Sequence, residues 1–322
     1  MKISRGLAAT KPHPHAIVTI GNFDGHHHGH RALLKTVVDT ARREGGAAVV
    51  LTFDPHPVKI LAPQVNLQFL TSPEEKLAYF DAAGIDEVLF LEFTPVFAQL
   101  SPAEFVRQVL CDGIGTKQLF VGEHFAFGRG RAGRIEELKT WGRQFGFRVH
   151  PVAPVRIDGE VVSSTRIRQL LQAGEVQKAA RLLGRPYGLG GTVIPGAHRG
   201  TDLGWPTANL RLPPGRVIPP DGVYAAHTIW KDSSRDSIVY IGTRPTFGAG
   251  ERLLEVSILD ERLELYGESI LVHFIGFVRG DRVFVSASEL TRQISRDVET
   301  ARVFLREAGG TASRLPTLPR SE

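Results

Sequence analysis

The chain has 322 residues, 42% hydrophobic and 23% charged, which is enough apolar material for two cores and excludes an overall disordered protein. Its net charge of +5 comes from 39 Lys and Arg interspersed with 34 Asp and Glu, so no basic run marks a nucleic-acid surface, and phosphorylated small molecules suit the excess equally well. A single cysteine, Cys111, excludes an internal disulfide framework, and no stretch approaches a secretory apolar core or the ~20 apolar residues of a membrane span.

In chain order, apolar runs near 16–20, 47–53, 87–91, 117–121 and 147–153 alternate with helical periodicities near 31–44, 73–83, 101–110 and 135–145. Such alternation predicts a Rossmann-like α/β domain, a parallel sheet with helices on both faces. Ser72-Pro73-Glu74-Glu75 and Ser101-Pro102-Ala103-Glu104 mark two helix starts, with serine as cap, proline in the first helical position and acids at the positive end. From Tyr187 the texture changes to short β-type runs near 188–194, 222–230, 236–241, 253–259 and 269–278, broken by Gly and Pro. These predict an antiparallel sheet closing toward a small β-barrel. Glu289 to Glu307 then reads as one amphipathic helix, with Leu290, Ile294, Val298, Ala301 and Leu305 on one stripe packed on the barrel. The expected domains are 1–186 and 187–308, followed by a flexible tail, 309–322.

Ligands of open parallel sheets gather at the carboxyl ends of strands. There the chain places Gly21-Asn22-Phe23-Asp24-Gly25, then His27-His28-Gly29-His30 at a strand-to-helix junction. Backbone N–H groups and the helix dipole favour a polyphosphate at that point, and His27 and His30 can donate to its oxygens as charge develops, with Gly29 keeping the approach open. The alternative is an adventitious metal clamp of four histidines, although no Cys or carboxylate lies at ligand spacing nearby. Ser163-Ser164-Thr165-Arg166-Ile167-Arg168 adds hydroxyls and guanidinium groups at another helix start, suited to phosphate or to simple capping. Phe53-Asp54-Pro55-His56-Pro57 ends a strand with a ring, a carboxylate and a stiff turn, while Phe125, Phe127, Gly128 and Arg131 supply aromatic surface and a cation. Any one of these phenylalanines could equally be core.

The string GNFDGxHxGHR resembles the bacterial bifunctional riboflavin kinase/FAD synthetase family, and later segments agree with it in order: TFDPHP at 52–57, TSPEEKL at 71–77, VGEHFAFGRGRAG at 121–133, SSTRIR at 163–168, GWPTANL at 204–210, IGTRPTFG at 241–248 and LYG at 265–267. The resemblance implies ATP, riboflavin, FMN and FAD as substrates or products, with Mg²⁺. It assigns Ser164, Thr165 and Arg168 to the ATP site with His27 and His30, and gives the flavin reading to Phe53, Asp54, Pro55, His56, Phe125, Phe127, Gly128 and Arg131. It makes Gly191, Gly196 and Gly200 part of a glycine-bearing nucleotide loop, Thr207 and Asn209 the Mg²⁺ ligands, and Glu255 the base of the kinase. If the strand around Glu255 alternates, Leu254 and Val256 face the core while Glu255 and Ser257 share the other side. Departures accompany the match: His26 replaces a usual valine, His124 an Asp or Asn, and Arg134 stands at an often acidic position. In the barrel, Pro195, Thr201, Tyr240, Ser257 and Glu261 replace a histidine, a basic residue, the asparagine of an NIG triplet, a histidine and an apolar residue respectively.

Three functions compete: a bifunctional enzyme; an FMN adenylyltransferase whose divergent barrel only binds flavin as a regulator; and a basic protein using its histidines for metal or nucleic acid. The first is expected, in the cytoplasm, with small molecules as partners and neither nucleic acid nor membrane. At most weak self-association is expected.

Overall fold

The structure is a computed structural model that describes residues 1–195, 207–231, 233–243, 252–261 and 263–309. It divides into two compact units, Met1–Leu67 with Thr71–Ser163, and Gln68–Leu70 with Ser164–Glu322.

The first unit runs β1 (Lys2–Arg5), β2 (Ala16–Ile20), α1 (His28–Glu44), β3 (Ala47–Asp54), α2 (Pro57–Leu61), α3 (Pro73–Ala82), β4 (Glu87–Glu92), α4 (Pro102–Glu104), β5 (Thr116–Gly122), α5 (Ile135–Phe145), β6 (Arg148–Val152) and a hairpin of β7 (Arg156–Ile157) and β8 (Glu160–Val161). Its sheet is parallel throughout, in the order β1-β4-β3-β2-β5-β6. The chain walks outward from β2 to β3 and β4, then returns to the other side of β2 as β5, so the topological switch lies at β2. Alternate residues of β2 serve two cores. Ala16, Val18 and Ile20 pack with Val106, Val109, Leu110 and Leu138, while Ile17 packs with Leu33, Leu34, Val37 and Phe80. Helices therefore cover both faces of the sheet, as alternation in the sequence predicts.

Both Ser-Pro starts close as capping boxes, Ser72 with Glu75 and Ser101 with Glu104. The α1 helix begins three residues before the expected Arg31, because His27 caps it: its Nδ1 accepts the His30 N–H at 3.3 Å. The expected helix 101–110 is α-helical only through α4 and continues as a π-helix over Phe105–Ile114, ended by Gly115 at φ 74°.

Edge strand β1 was not expected, and a buried acid fixes it. Glu87, 1% exposed, accepts hydrogen bonds from Ser4 Oγ (2.5 Å) and Lys2 Nζ (3.0 Å), and lies 2.7 Å from His13 Nε2. Burial opposes ionisation, but hydrogen bonds from Ser4, Lys2, His13 and Thr10 overcome it and hold the Glu87 carboxyl down at about 2. A carboxyl depressed in the fold stabilises it fully above the ordinary value of 4.5 and loses that contribution as pH falls toward about 2. Glu87→Gln is therefore expected to cost about 1–3 kcal/mol at neutral pH. In thermal melts, its deficit against the native protein should shrink as pH falls through that window.

The second unit runs α6 (Ser164–Gln172), α7 (Val176–Leu183), β9 (Tyr187–Ile194), β10 (Ala208–Arg211), β11 (Gly222–Trp230), β12 (Ser233–Thr243), β13 (Arg252–Ile258), β14 (Ser269–Gly280) and α8 (Ala287–Ala308). Its six strands close as an antiparallel barrel in the order β10-β13-β12-β11-β14-β9, sealed by pairing of β9 with β10. Val298, Ala301 and Leu305 of α8 pack on Val223, Ala225, Ile238 and Ile275 of the barrel wall, the stripe the sequence predicts. The tail beyond Gly309 lies outside the described residues.

Candidate active sites

The loop leaving β2 is tightly wound. Phe23, Gly25 and His26 have φ of 51°, 89° and 42°, a left-handed run that only good anchorage sustains. The anchors are named contacts. Gly21 N–H donates to Leu51 O at 3.1 Å, and the Phe23 ring meets Phe80 edge-on at 5.4 Å. Buried Asp24 accepts from both Thr71 N–H (3.1 Å) and Thr71 Oγ1 (3.0 Å), while Gly25 N–H donates to the same Thr71 Oγ1. Asn22 turns a buried Oδ1 that has no hydrogen-bond partner among the described residues. At the start of α1 the His27 and His30 rings stack, with centroids 3.6 Å apart and planes 18° from parallel. Because His27 Nδ1 accepts the cap hydrogen bond, a neutral His27 carries its proton on Nε2. A Cβ at Gly29 would sit 3.2 Å from the His27 ring and press on it. Among the described residues no three His, Cys, Asp or Glu side chains form a metal-holding group.

In the same unit an aromatic cavity of about 330 Å³ is lined by Phe53, Phe125, Phe127, Gly128 and Arg131 together with Leu61, Phe93, Phe97 and Leu100. Phe125 and Phe127 stack at 5.6 Å, and Phe53 meets Phe93 edge-on at 5.5 Å. Gly128, at φ 70°, lets the backbone pass Pro102, whose N atom a Cβ would approach to 2.8 Å. Asp54 at the end of β3 is exposed, Pro55 follows through a cis peptide bond, and His56 caps α2 by accepting from Val58 N–H at 3.2 Å. Apolar walls with a cation at the edge suit a flat heteroaromatic ring.

In the second unit Ser164 and Thr165 form the first turn of α6, and Arg168 one turn on donates through Nε to Gln68 O at 2.8 Å. In the barrel, Asn209 of β10 pairs directly with Glu255 of β13, which pairs in turn with Tyr240 of β12. Directly opposed residues share a face, so the three form one polar row. Tyr240 packs against the core beneath α8, which puts the row on the barrel's outer wall. Asn209 is 4% exposed and its Oδ1 has no hydrogen-bond partner among the described residues, as a hard-cation ligand would be left in a structure without one. Thr207 is half-buried just before β10. Leu254 and Val256 are buried as expected, but Ser257 and Leu253, on the Glu255 side, are buried too. Strict alternation therefore does not hold along β13.

Residues 9–166 match the family model described as FAD synthetase, and residues 183–305 match the one described as riboflavin kinase. A bifunctional riboflavin kinase/FMN adenylyltransferase of Escherichia coli (strain K12) is 36% identical over 94% of this chain and 98% of its own length. The chain belongs to the bifunctional riboflavin kinase/FMN adenylyltransferase family. A family member from Pseudomonas fluorescens is 38% identical over 94% of this chain and 98% of its own length. A solved structure from Streptococcus pneumoniae, described as a macrolide-efflux protein, superposes with a TM-score of 0.85 at 30% identity, covering 94% of this chain and 99% of that one. Among the described residues no helix is long and apolar enough to cross a membrane.

Set against the residues singled out from the family motifs, the fold brings His27, Gly29 and His30 together with Gly21 to Gly25 in one loop, and Phe53, Phe125, Phe127, Gly128 and Arg131 around one cavity. It joins Asn209 to Glu255 across one strand pair. Gly191, expected in a loop, lies inside β9 opposite Ile270, because β9 is stitched to both β14 and β10. Gly196 and Gly200 lie outside the described residues, as do Thr201 and much of the GWPTANL and IGTRPTFG segments. Motif reading missed Thr71, the clamp on Asp24, and the cavity walls Phe93 and Phe97. Only the i, i+4 spacing of those two rings in Phe93-Thr94-Pro95-Val96-Phe97 hints at a shared face.

Proposed function

We propose that this chain makes FAD in two ATP-dependent steps, phosphorylating riboflavin to FMN and then adenylylating FMN. Residues 187–308 carry the kinase and residues 1–186 the transferase. In the first step Glu255 accepts the proton of the ribityl hydroxyl as that oxygen attacks the γ-phosphorus of ATP and ADP leaves. Thr207 and Asn209 would hold Mg²⁺, which when bound would neutralise negative charge on the ATP phosphates.

In the second step an oxygen of the FMN phosphate attacks the α-phosphorus of ATP and pyrophosphate leaves, so no protein nucleophile is needed. His27 and His30 donate to the phosphate oxygens as charge builds, with the N–H groups at the start of α1 beside them. Ser164, Thr165 and Arg168 bind ATP, and the aromatic cavity takes the isoalloxazine ring. The working compartment is the cytoplasm.

The observation that carries this function is that one chain holds both the stacked His27–His30 pair at a helix start and the Asn209–Glu255 row with its unsatisfied amide oxygen. The test is a time course of purified protein with riboflavin, ATP and Mg²⁺, followed by chromatography of the flavins. FMN should rise first and FAD after it. FAD formed only when FMN is supplied would instead favour a barrel that binds flavin without phosphorylating it.

A further inference from the structure

Helix α3 turns one stripe toward the loop that carries the histidines. Phe80, fully buried, meets Phe23 edge-on, and Tyr79 lies flat on His26 with centroids 4.7 Å apart and planes 9° from parallel. Lys76 sits three and four residues before them, on the same face, so it overlies the turn nearer the helix start. That turn abuts Thr71, whose hydroxyl and N–H hold Asp24. Lys76 is half-buried there, and among the described residues its ammonium forms no ion pair within 4.0 Å. Burial pulls its pKa below the ordinary lysine value, and the charges of Asp24 and then Asp54 only partly offset that.

A partly desolvated cation kept out of contact with both neighbouring carboxylates still has its donors to give. Asp24 already takes two hydrogen bonds from Thr71 on its Oδ1. The anions that enter this loop during adenylyl transfer are phosphates. We propose that Lys76 is a substrate-binding residue of the transferase site, its ammonium contacting a phosphate group of FMN or of ATP. The inference rests on the transferase reading of the first unit and adds a cation to it from a helix with no histidine motif. Lys76 adds a full positive charge opposite the phosphates, beside the hydrogen bonds that the imidazoles donate.

The test compares the native protein with Lys76→Gln and Lys76→Arg in the full chain, measuring FAD formation from FMN, KM for FMN and for ATP, riboflavin phosphorylation, and thermal melting. Lys76→Gln should lower kcat/KM for FAD formation about 100-fold, the loss typical of one charge-stabilising donor. Lys76→Arg should recover most of it, and riboflavin phosphorylation should not change. A KM rise confined to FMN assigns the flavin phosphate, and one confined to ATP assigns the triphosphate. FAD formation by Lys76→Gln within threefold of native would overturn the proposal. So would equal losses in both variants with a lowered melting temperature, which would make Lys76 a structural counter-charge to Asp24. Binding of a non-hydrolysable ATP analogue and of FMN to the same proteins separates this from failure of the transferase reading. If the native protein makes no FAD, the transferase reading fails, yet weaker binding of either ligand by Lys76→Gln alone still supports the phosphate contact, and unchanged binding of both refutes it.

Discussion

Replacing His30 by alanine is expected to lower FAD formation from FMN about 100- to 1,000-fold, the cost of removing one preorganised donor from a site where charge develops. FMN production from riboflavin should continue at the native rate. His30 is the cleaner of the two imidazoles to remove. His27 also caps α1 through Nδ1, so its loss would mix a helix defect of about 1 kcal/mol into the kinetic one. The ring of His30 stacks on His27 and leans on Phe23, 5.1 Å away, so its truncation leaves the α1 cap acceptor in place. Flavin chromatography after incubation with riboflavin should show FMN accumulating and FAD nearly absent.

Glu255→Gln is expected to produce the mirror image, with riboflavin phosphorylation falling about 100- to 10,000-fold as a general base is lost and FMN adenylylation intact. Glutamine preserves the shape of the row between Asn209 and Tyr240 while removing the basic oxygen. Tyr240 is the other titratable group in that row. Burial, then the neighbouring Asp281, pushes its hydroxyl well above the ordinary tyrosine value, and it donates to Asp281 Oδ1 at 3.1 Å. A phenol held protonated in this way cannot accept a proton from substrate, which is consistent with the base role proposed for Glu255. The tyrosine that replaces the family's asparagine therefore leaves the proposed chemistry in place. Steady-state rates with riboflavin and with FMN, on one preparation, check both halves.

The parallel sheet was legible because its central strands are buried on both faces and read as unbroken apolar runs, as in Ala16–Ile20. Strand β1 was not, since Lys2–Arg5 is short and polar and becomes a strand only by pairing with β4 and tying down Glu87. Strand β10 is only four residues long and absent from the run of apolar β segments, although Pro-Thr-Ala-Asn at its start reads as a turn entering a strand. At the candidate site, the groupings visible in the sequence were those of contiguous residues: the histidine pair, the Phe53 turn and the Phe125–Phe127 stretch. Residues that matter by packing were not. Thr71 grips Asp24 from 47 positions away, and Lys76 shares the helix whose Tyr79 and Phe80 dock on the same loop. Glycines misled once. Gly191 carries no side chain to distinguish a strand from a phosphate loop, and its pairing with Ile270 comes from β14, far along the chain.

The most direct measurement mixes the two crippled proteins. His30→Ala alone should stop at FMN, and Glu255→Gln alone should make almost no flavin nucleotide from riboflavin. Combined in one tube with riboflavin, ATP and Mg²⁺, they should restore FAD, because FMN released by one is adenylylated by the other. Failure of the mixture to make FAD, while Glu255→Gln still adenylylates added FMN, or loss of both steps in either single variant, would contradict two separable ATP-dependent sites on this chain.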